Sequence, residues 1–347
     1  MLRGSHRDAI FADSAVFRAQ WVPSDFRARD AQLDAMATAL EPLLAGEPAP
    51  GLFLAGPTGT GKTSSSRYLL EKLAAQATAV ETVTVNCWSN HSRYRVLARI
   101  VEAVEGPGAL AHDHATAALQ DALEAIETPT VVVLDEADQL DEPEVIYDLY
   151  EAPAVAVIVT ANTKAGVLVD LDERIQSRLR TFVDVQFDRY AAGALEAILE
   201  QRARHGLQPA VIGEAQIADL ARAANGNARD AIAALEGAAQ RAVEDGAERI
   251  DDAHVATAIE GAGRDVRQAT VERLNDHQRA IYELLAAAGP LSPGAIYEQY
   301  QEQMADPRSR RTVRKYVRKL EQYDLLVVSG QSQSREYRLD PAAPRPD

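Results

Sequence analysis

The sequence predicts a chain in three parts: an α/β core whose parallel sheet is flanked by helices, an all-helical segment, and a C-terminal winged-helix segment. Three observations carry this. Between about residues 50 and 165, short β-branched runs alternate with helix-length amphipathic stretches, the pattern of strands joined by crossover helices. From 190 to 260, apolar residues recur at spacings of three and four with no strand-like alternation. From about 266 to 340, two helical patterns precede a basic helix and two short strands.

A chain of 347 residues suits two or three domains, each with a sizeable core. No run approaches the ~20 apolar residues of a membrane helix, and the N-terminus lacks a signal-peptide core, so a soluble cytoplasmic protein is expected, with no membrane partner. The single cysteine, Cys87, excludes an internal disulfide and a multi-cysteine zinc site and reads as a small core residue. His112 and His114 lack a third ligand and read as surface residues.

The formal net charge is −16, and it is unevenly spread. Residues 1–266 hold 23 Lys+Arg against 41 Asp+Glu, net −18, whereas 267–340 hold 12 against 10, net +2. Only five of the basic residues are lysine, which together with the acidity fits a halophilic cytoplasm.

In chain order, residues 1–30 show no periodicity and read as an extended entry marked by Pro23, or as a disordered tail. Ala31 to Leu44 forms a helix with Leu33, Met36 and Leu40 on one face. The apolar run Leu52-Phe53-Leu54 then leads into Gly56, Pro57, Thr58, Gly59, Thr60, Gly61, Lys62 and Thr63, a phosphate-binding loop. Its glycines let backbone N–H groups turn toward an anion at the N-terminus of the next helix, Lys62 can reach the β- and γ-phosphates, and Thr63 can ligate Mg²⁺. The alternative is an ordinary strand-to-helix turn.

Val80 to Asn86 reads as a strand, followed by helices near 92–104 and 115–126. Val131-Val132-Val133-Leu134 then delivers Asp135 and Glu136 at a strand's C-terminal end, where ligands bind in open α/β sheets. Asp135 suits Mg²⁺ held through water and Glu136 the polarising of an attacking water. The bland reading is a capped strand end. The strand 154–160 ends beside Asn162, an amide placed to orient water or simply a turn residue.

Helices are expected at 191–205, 214–224, 228–242 and 252–260, then, after a charged linker near 266, at 272–288 and 293–303. The basic block contains Arg308, Arg310, Arg311, Arg314, Lys315, Arg318 and Lys319 and no acid. Val313, Val317 and Leu320 form its buried stripe. With strands 325–329 and 334–339 around the turn 330–333, this is the order of a winged helix. Its basic helix suits a major groove and its hairpin a phosphate or minor-groove contact, and duplex rather than single-strand binding is expected because the aromatics form no stacking platform. A winged helix that docks protein is the alternative.

The series of phosphate loop, apolar-Asp-Glu, strand-ending Asn162, Ser177-Arg178 and Gly226-Asn227-Ala228-Arg229-Asp230-Ala231 is similar to the motifs of AAA+ ATPases. With its C-terminal segment, the chain from about Val22 to Leu339 resembles the archaeal origin recognition and cell division control initiator family. The resemblance implies an AAA+ core with a nucleotide-embracing N-terminal segment (1–188), a helical lid (189–265), a DNA-binding winged helix (266–340) and a tail (341–347). It implies ATP or ADP with Mg²⁺, slow regulatory ATP hydrolysis, and double-stranded origin DNA at the nucleoid. It also implies a replicative helicase or other initiator subunits as partners, and an ATP-dependent oligomer on DNA. Val22 and Pro23 fall in the nucleotide-embracing segment, although the family's usual His before Arg29 is here Ala28. Asn162 matches the first sensor, Arg229 the second, and Tyr190 and Arg202 the family's nucleotide contacts. Arg174 and Arg178 both match arginine-finger positions, Arg178 being preferred. A clamp-loader-like subunit is disfavoured by the winged helix; a DNA-binding regulator or plasmid-maintenance protein is the remaining alternative.

Overall fold

The computed structural model describes residues 4–76, 80–106, 115–169, 171–330, 335–341 and 343–346. His112, His114 and the turn residues 331–333 lie outside them. The chain forms two compact units, the first comprising Arg18–Ile198 with Asn225–Arg229.

This first unit is built on five parallel strands, β1 (Leu52–Ala55), β2 (Glu81–Asn86), β3 (Thr130–Asp135), β4 (Val155–Ala161) and β5 (Val183–Gln186), in the order β2-β3-β4-β1-β5. Successive side chains of a strand face opposite ways, and the two apolar layers follow that parity. Phe53, Val83, Val85, Val132, Leu134, Val157 and Val159 pack on one face with Val96, Leu97, Ile100, Leu119, Leu123 and Leu149 from the helices Arg93–Glu105, Thr116–Glu124 and Val145–Glu151. Leu52, Leu54, Val131, Val133, Ile158 and Val185 pack on the other with Met36, Leu40, Leu70 and Leu73 from Asp30–Leu40 and Lys62–Gln76. Every residue of β3 and β4 is buried, as expected of inner parallel strands read from continuous apolar runs. The edge strand β5 is absent from the sequence reading because its four residues, Val-Asp-Val-Gln, include only one that is fully buried. Since β3, β4 and β1 are parallel neighbours, their C-terminal ends meet at one sheet edge, which is where the functional motifs stand.

The second unit comprises Met1–Phe17, Leu199–Ala224 and Asp230–Asp347. The first residues are not a tail: they form a helix Gly4–Ile10 and a single 3-10 turn Ser14–Phe17. Ile10, Phe11, Val16 and Phe17 are buried, and Phe11 bridges Leu207. These residues belong with the helical segment rather than with the α/β core, which sequence periodicity could not reveal because the apolar contacts are long-range. The helix Asp252–Glu272 runs through the expected linker, so the boundary near 265 falls inside a helix. The stretch is charged but contains no proline to stop it.

The C-terminal part contains the helices Asp276–Ala288, Pro293–Gln303 and Arg310–Gln322, capped by the side chains of Asn275, Ser292 and Ser309. An antiparallel hairpin follows, β6 (Leu326–Ser329) and β7 (Glu336–Leu339), with a bridge from Leu291 to Tyr337. This is the expected winged-helix order. Ala343 of the terminal tail is buried, and the Tyr282 hydroxyl donates to the Pro344 carbonyl. Among the described residues no helix is long and apolar enough to cross a membrane.

Candidate functional site

The loop after β1 carries the densest chemistry. Gly59 and Gly61 have φ of 75° and 92°, values that disfavour any side chain. A Cβ on Gly59 would coincide with the Asn227 side chain, and one on Gly61 would meet the Tyr190 hydroxyl. Gly56 donates its N–H to the Ala161 and Asn162 carbonyls at 3.2 and 3.1 Å, tying the loop to the end of β4. The buried Thr60 hydroxyl donates to the Pro57 carbonyl at 2.8 Å, closing the loop on itself.

Lys62 is buried at the start of the next helix, and its ammonium donates to the carbonyls of Gly56 (2.6 Å) and Pro57 (2.9 Å). Burial lowers its pKa to about 8, against the opposing pull of Asp138, Asp135 and Glu136 and with a small further push from Arg229. A partly desolvated ammonium ringed by loop carbonyls is poised to exchange them for an anion.

The Thr63 hydroxyl donates to Asp135 Oδ1 at 2.8 Å, across 72 residues of sequence. A second hydroxyl, that of the fully buried Thr160, donates to the same oxygen at 2.7 Å and accepts the Glu136 N–H at 3.0 Å. Glu136 itself has φ 58° and ψ 48°, a left-handed conformation that costs a glutamate about 1 kcal/mol or more and clusters at functional sites. Asn162 donates to Asp138 Oδ2 at 3.3 Å. Neither Thr160 nor Asp138 was among the expected site residues. Thr160 could have been found as the one hydroxyl in an otherwise apolar strand.

Arg29, which the resemblance places in the nucleotide-embracing segment without a contact of its own, is buried and holds two parts of the site together. It donates to the Thr60 carbonyl (3.0 Å) and the Asp188 carbonyl (2.5 Å) and lies over the Tyr190 ring, 3.8 Å from the centroid. Ala28 before it, where the resembled family has His, is left-handed with φ 62°. Tyr190 is buried, which raises its phenol pKa. The turn Asn225–Arg229 clusters with this unit, with the Ala228 N–H donating to the Gly59 carbonyl at 2.9 Å. Arg229 is exposed and near enough to Lys62 to act on its charge.

The expected residues therefore converge for Gly56 to Thr63, Asp135, Glu136, Asn162, Tyr190 and Arg229. Val22 and the buried Pro23 lie in the same unit. Arg202 belongs to the helical unit, where its guanidinium donates to the Val16 carbonyl, and burial lowers its pKa to about 10. Arg174 and Arg178 are both exposed on the helix Glu173–Leu179. Arg178 is engaged within its own chain, 3.8 Å from Glu151 and over the Tyr147 ring, whereas the Arg174 side chain has no such partner among the described residues.

The donor set fits a nucleoside triphosphate with Mg²⁺. A hydroxyl and a carboxylate in contact, Thr63 and Asp135, are the hard oxygen ligands such an ion takes, and the glycine loop with Lys62 suits a polyphosphate.

On the basic helix, Arg310, Arg311, Arg314 and Arg318 are exposed and Lys315 is half-buried, while the exposed Arg308 of the expected block precedes the helix cap Ser309. Lys319 departs from the expectation: it is 5% exposed, on a helix whose Val313, Tyr316, Val317 and Leu320 are also buried. Its i+3 spacing from the buried Tyr316 puts it on the buried stripe, which at this end is wider than three apolar residues. Arg308 is oriented from behind. Its Nε donates to His277 Nε2 (3.2 Å) and its backbone N–H to the Tyr300 hydroxyl (3.1 Å). The hairpin adds the exposed Arg338, a basic residue outside the expected block.

A family model described as the AAA ATPase domain matches residues 25–153, and one described as the Cdc6 AAA+ ATPase-type lid domain matches residues 196–260. The chain is similar to ORC1-type DNA replication protein 9 of Halobacterium salinarum, with 40% identity over 339 residues and 96% of each chain covered. It is 33% identical over 308 residues to ORC1-type DNA replication protein 1 of the same organism, covering 88% of this chain and 100% of that protein. Among solved structures, the ORC1 protein of Aeropyrum pernix in complex with DNA superposes with a TM-score of 0.74 at 28% identity, over 96% of this chain and 94% of that one. With a phosphate loop, an Asp-Glu strand end and a Cdc6-type lid in one chain, this protein belongs to the ORC1-type family of AAA+ DNA replication initiators.

Proposed function

We propose that the chain binds duplex origin DNA through its C-terminal segment and uses ATP binding and slow hydrolysis as a switch for assembling other initiator subunits and loading a replicative helicase. The observation that carries the nucleotide half is the contact of Thr63 and Asp135 beside Lys62 and Glu136 at one sheet edge. The DNA half rests on the arginines of Arg310–Gln322 in a chain of net charge −16.

In this reading Lys62 would exchange the Gly56 and Pro57 carbonyls for phosphate oxygens, and Thr63 and Asp135 are the residues that would hold Mg²⁺. The ion supplies neutralisation of the charge that builds on the transferring phosphoryl group. Glu136 accepts a proton from the attacking water, Asn162 holds that water or the γ-phosphate oxygen, and Arg229 adds positive charge from the lid turn. A guanidinium from a neighbouring copy completes the charge stabilisation, and the unengaged Arg174 suits that task better than Arg178. The exposed arginines contact phosphates and base edges of the duplex.

Paired measurements test this. Lys62→Ala should abolish nucleotide binding, whereas Glu136→Gln should keep binding and stop hydrolysis. Footprinting of the intact chain on fragments of its host's replicons should give a discrete protected site. Equal loss of nucleotide affinity in both variants, or no protected site, would refute the respective half.

A further inference from the structure

We infer that Thr160 is a positioning residue for hydrolysis, one hydroxyl that sets both the carboxylate of Asp135 and the left-handed backbone of Glu136. The inference deepens the reading of Asp135 and Glu136 given above and rests on it.

β4 reads Val-Ala-Val-Ile-Val-Thr-Ala, is buried throughout, and packs apolar layers on both faces. Packing alone would favour valine at Thr160, because valine has the same shape and carries no hydroxyl to satisfy. The hydroxyl is instead fully used. It donates to Asp135 Oδ1 at 2.7 Å and accepts the N–H of Glu136 at 3.0 Å, while its own residue is 0% exposed.

The two bonds act on adjacent residues with different tasks. Asp135 Oδ1 accepts from the Thr63 hydroxyl as well, whose oxygen keeps lone pairs with which it would face Mg²⁺. The bond from Thr160 fixes the same carboxylate from the β4 side. Glu136 stands at φ 58°, outside the conformations a glutamate prefers, so something must hold it there. Its N–H donates to the Thr160 oxygen at 3.0 Å in a part-buried position, and the loss of that acceptor would remove one bond that holds the left-handed turn. The carboxylate of Glu136 would then be displaced from its water while the phosphate loop, built on β1, stayed intact.

The test uses Thr160→Val and Thr160→Ser in the full chain. Without nucleotide, the Glu136 amide of the wild type should exchange slowly with deuterium by NMR. Thr160→Val should make it exchange at least about tenfold faster, and Thr160→Ser should keep it slow. With Mg-ATP, Thr160→Val should lower kcat by ~10- to 100-fold, the loss of one hydrogen bond to a charged group, and leave nucleotide affinity within about threefold. Thr160→Ser should restore turnover.

An unprotected Glu136 amide in the wild type overturns the inference without any variant, even if Thr160→Val fails to fold. So does a valine variant that turns over like wild type, or a serine variant as impaired as the valine one, since both would mean that only shape matters. Failure of the hydrolysis reading itself looks different: Glu136→Gln would then be as active as wild type, whatever the amide of Glu136 does.

Discussion

Lys62 makes nucleotide binding pH-dependent in a direction that follows from its burial. Its pKa in the free protein is about 8, below the 10.5 of an unfolded chain, because the ammonium is desolvated. Folding thus releases its proton more easily, so the penalty of burying the charge is present below about pH 8 and is relieved as pH rises toward 10.5. A polyphosphate reverses the balance by stabilising the ammonium, so binding takes up a proton. Nucleotide affinity should hold steady through neutrality and weaken above about pH 8, approaching tenfold per pH unit. Titration calorimetry across that range would show it, and a flat profile up to pH 10 would contradict the buried-ammonium account. At the same scale, Arg174→Ala should lower the ATPase of assemblies while sparing nucleotide affinity of the single chain. Arg178→Ala should do less, because that guanidinium already sits against Glu151 and Tyr147. The opposite order of effects would restore the assignment made from sequence.

The helix Arg310–Gln322 separates two kinds of basic residue. Arg314 is exposed, so Arg314→Ala should weaken duplex binding and reduce the salt slope by about one, as expected for a lost phosphate contact. Lys319 is buried, so Lys319→Met should leave duplex affinity unchanged and shift only the melting temperature. Comparing fluorescence anisotropy with thermal denaturation for the two variants decides it. A Lys319 variant that loses DNA at unaltered stability would show that the helix presents a different face. Replacing Arg310, Arg311, Arg314 and Arg318 together by alanine should remove duplex binding and leave nucleotide binding intact.

Over the whole molecule, the charge of −16 sets the salt behaviour. Arginine–phosphate contacts that rely on counterion release weaken by roughly 0.9 log unit of slope per neutralised phosphate, and would fail in the molar salt of a halophilic host. The relatives in Halobacterium salinarum fit such a host. The chain should then hold its origin by base-edge hydrogen bonds, apolar contact from the hairpin, or cations between its acidic surface and DNA, and its affinity should change little or rise with potassium chloride. A steep fall with no specific complex in molar salt would remove the halophilic reading and leave the DNA-binding segment standing.

Sequence by itself determined whatever is local. The loop Gly56–Thr63, the apolar run ending in Asp135 and Glu136, Asn162 at the next strand end and the arginine-rich helix are each written in neighbouring residues, because loop geometry, strand burial and helix faces repeat over two to four positions. Tertiary structure alone decided what joins distant residues. Arg29 reaches Thr60 and Asp188, and Thr160 reaches Asp135 and Glu136, through bonds that no periodicity encodes. The N-terminal Ile10 and Phe17 are buried in the helical unit for the same reason. Lys319 turns inward and Arg202 binds the Val16 carbonyl because a charge's surroundings are set by the elements folded against it, and its own sequence neighbours do not carry that information.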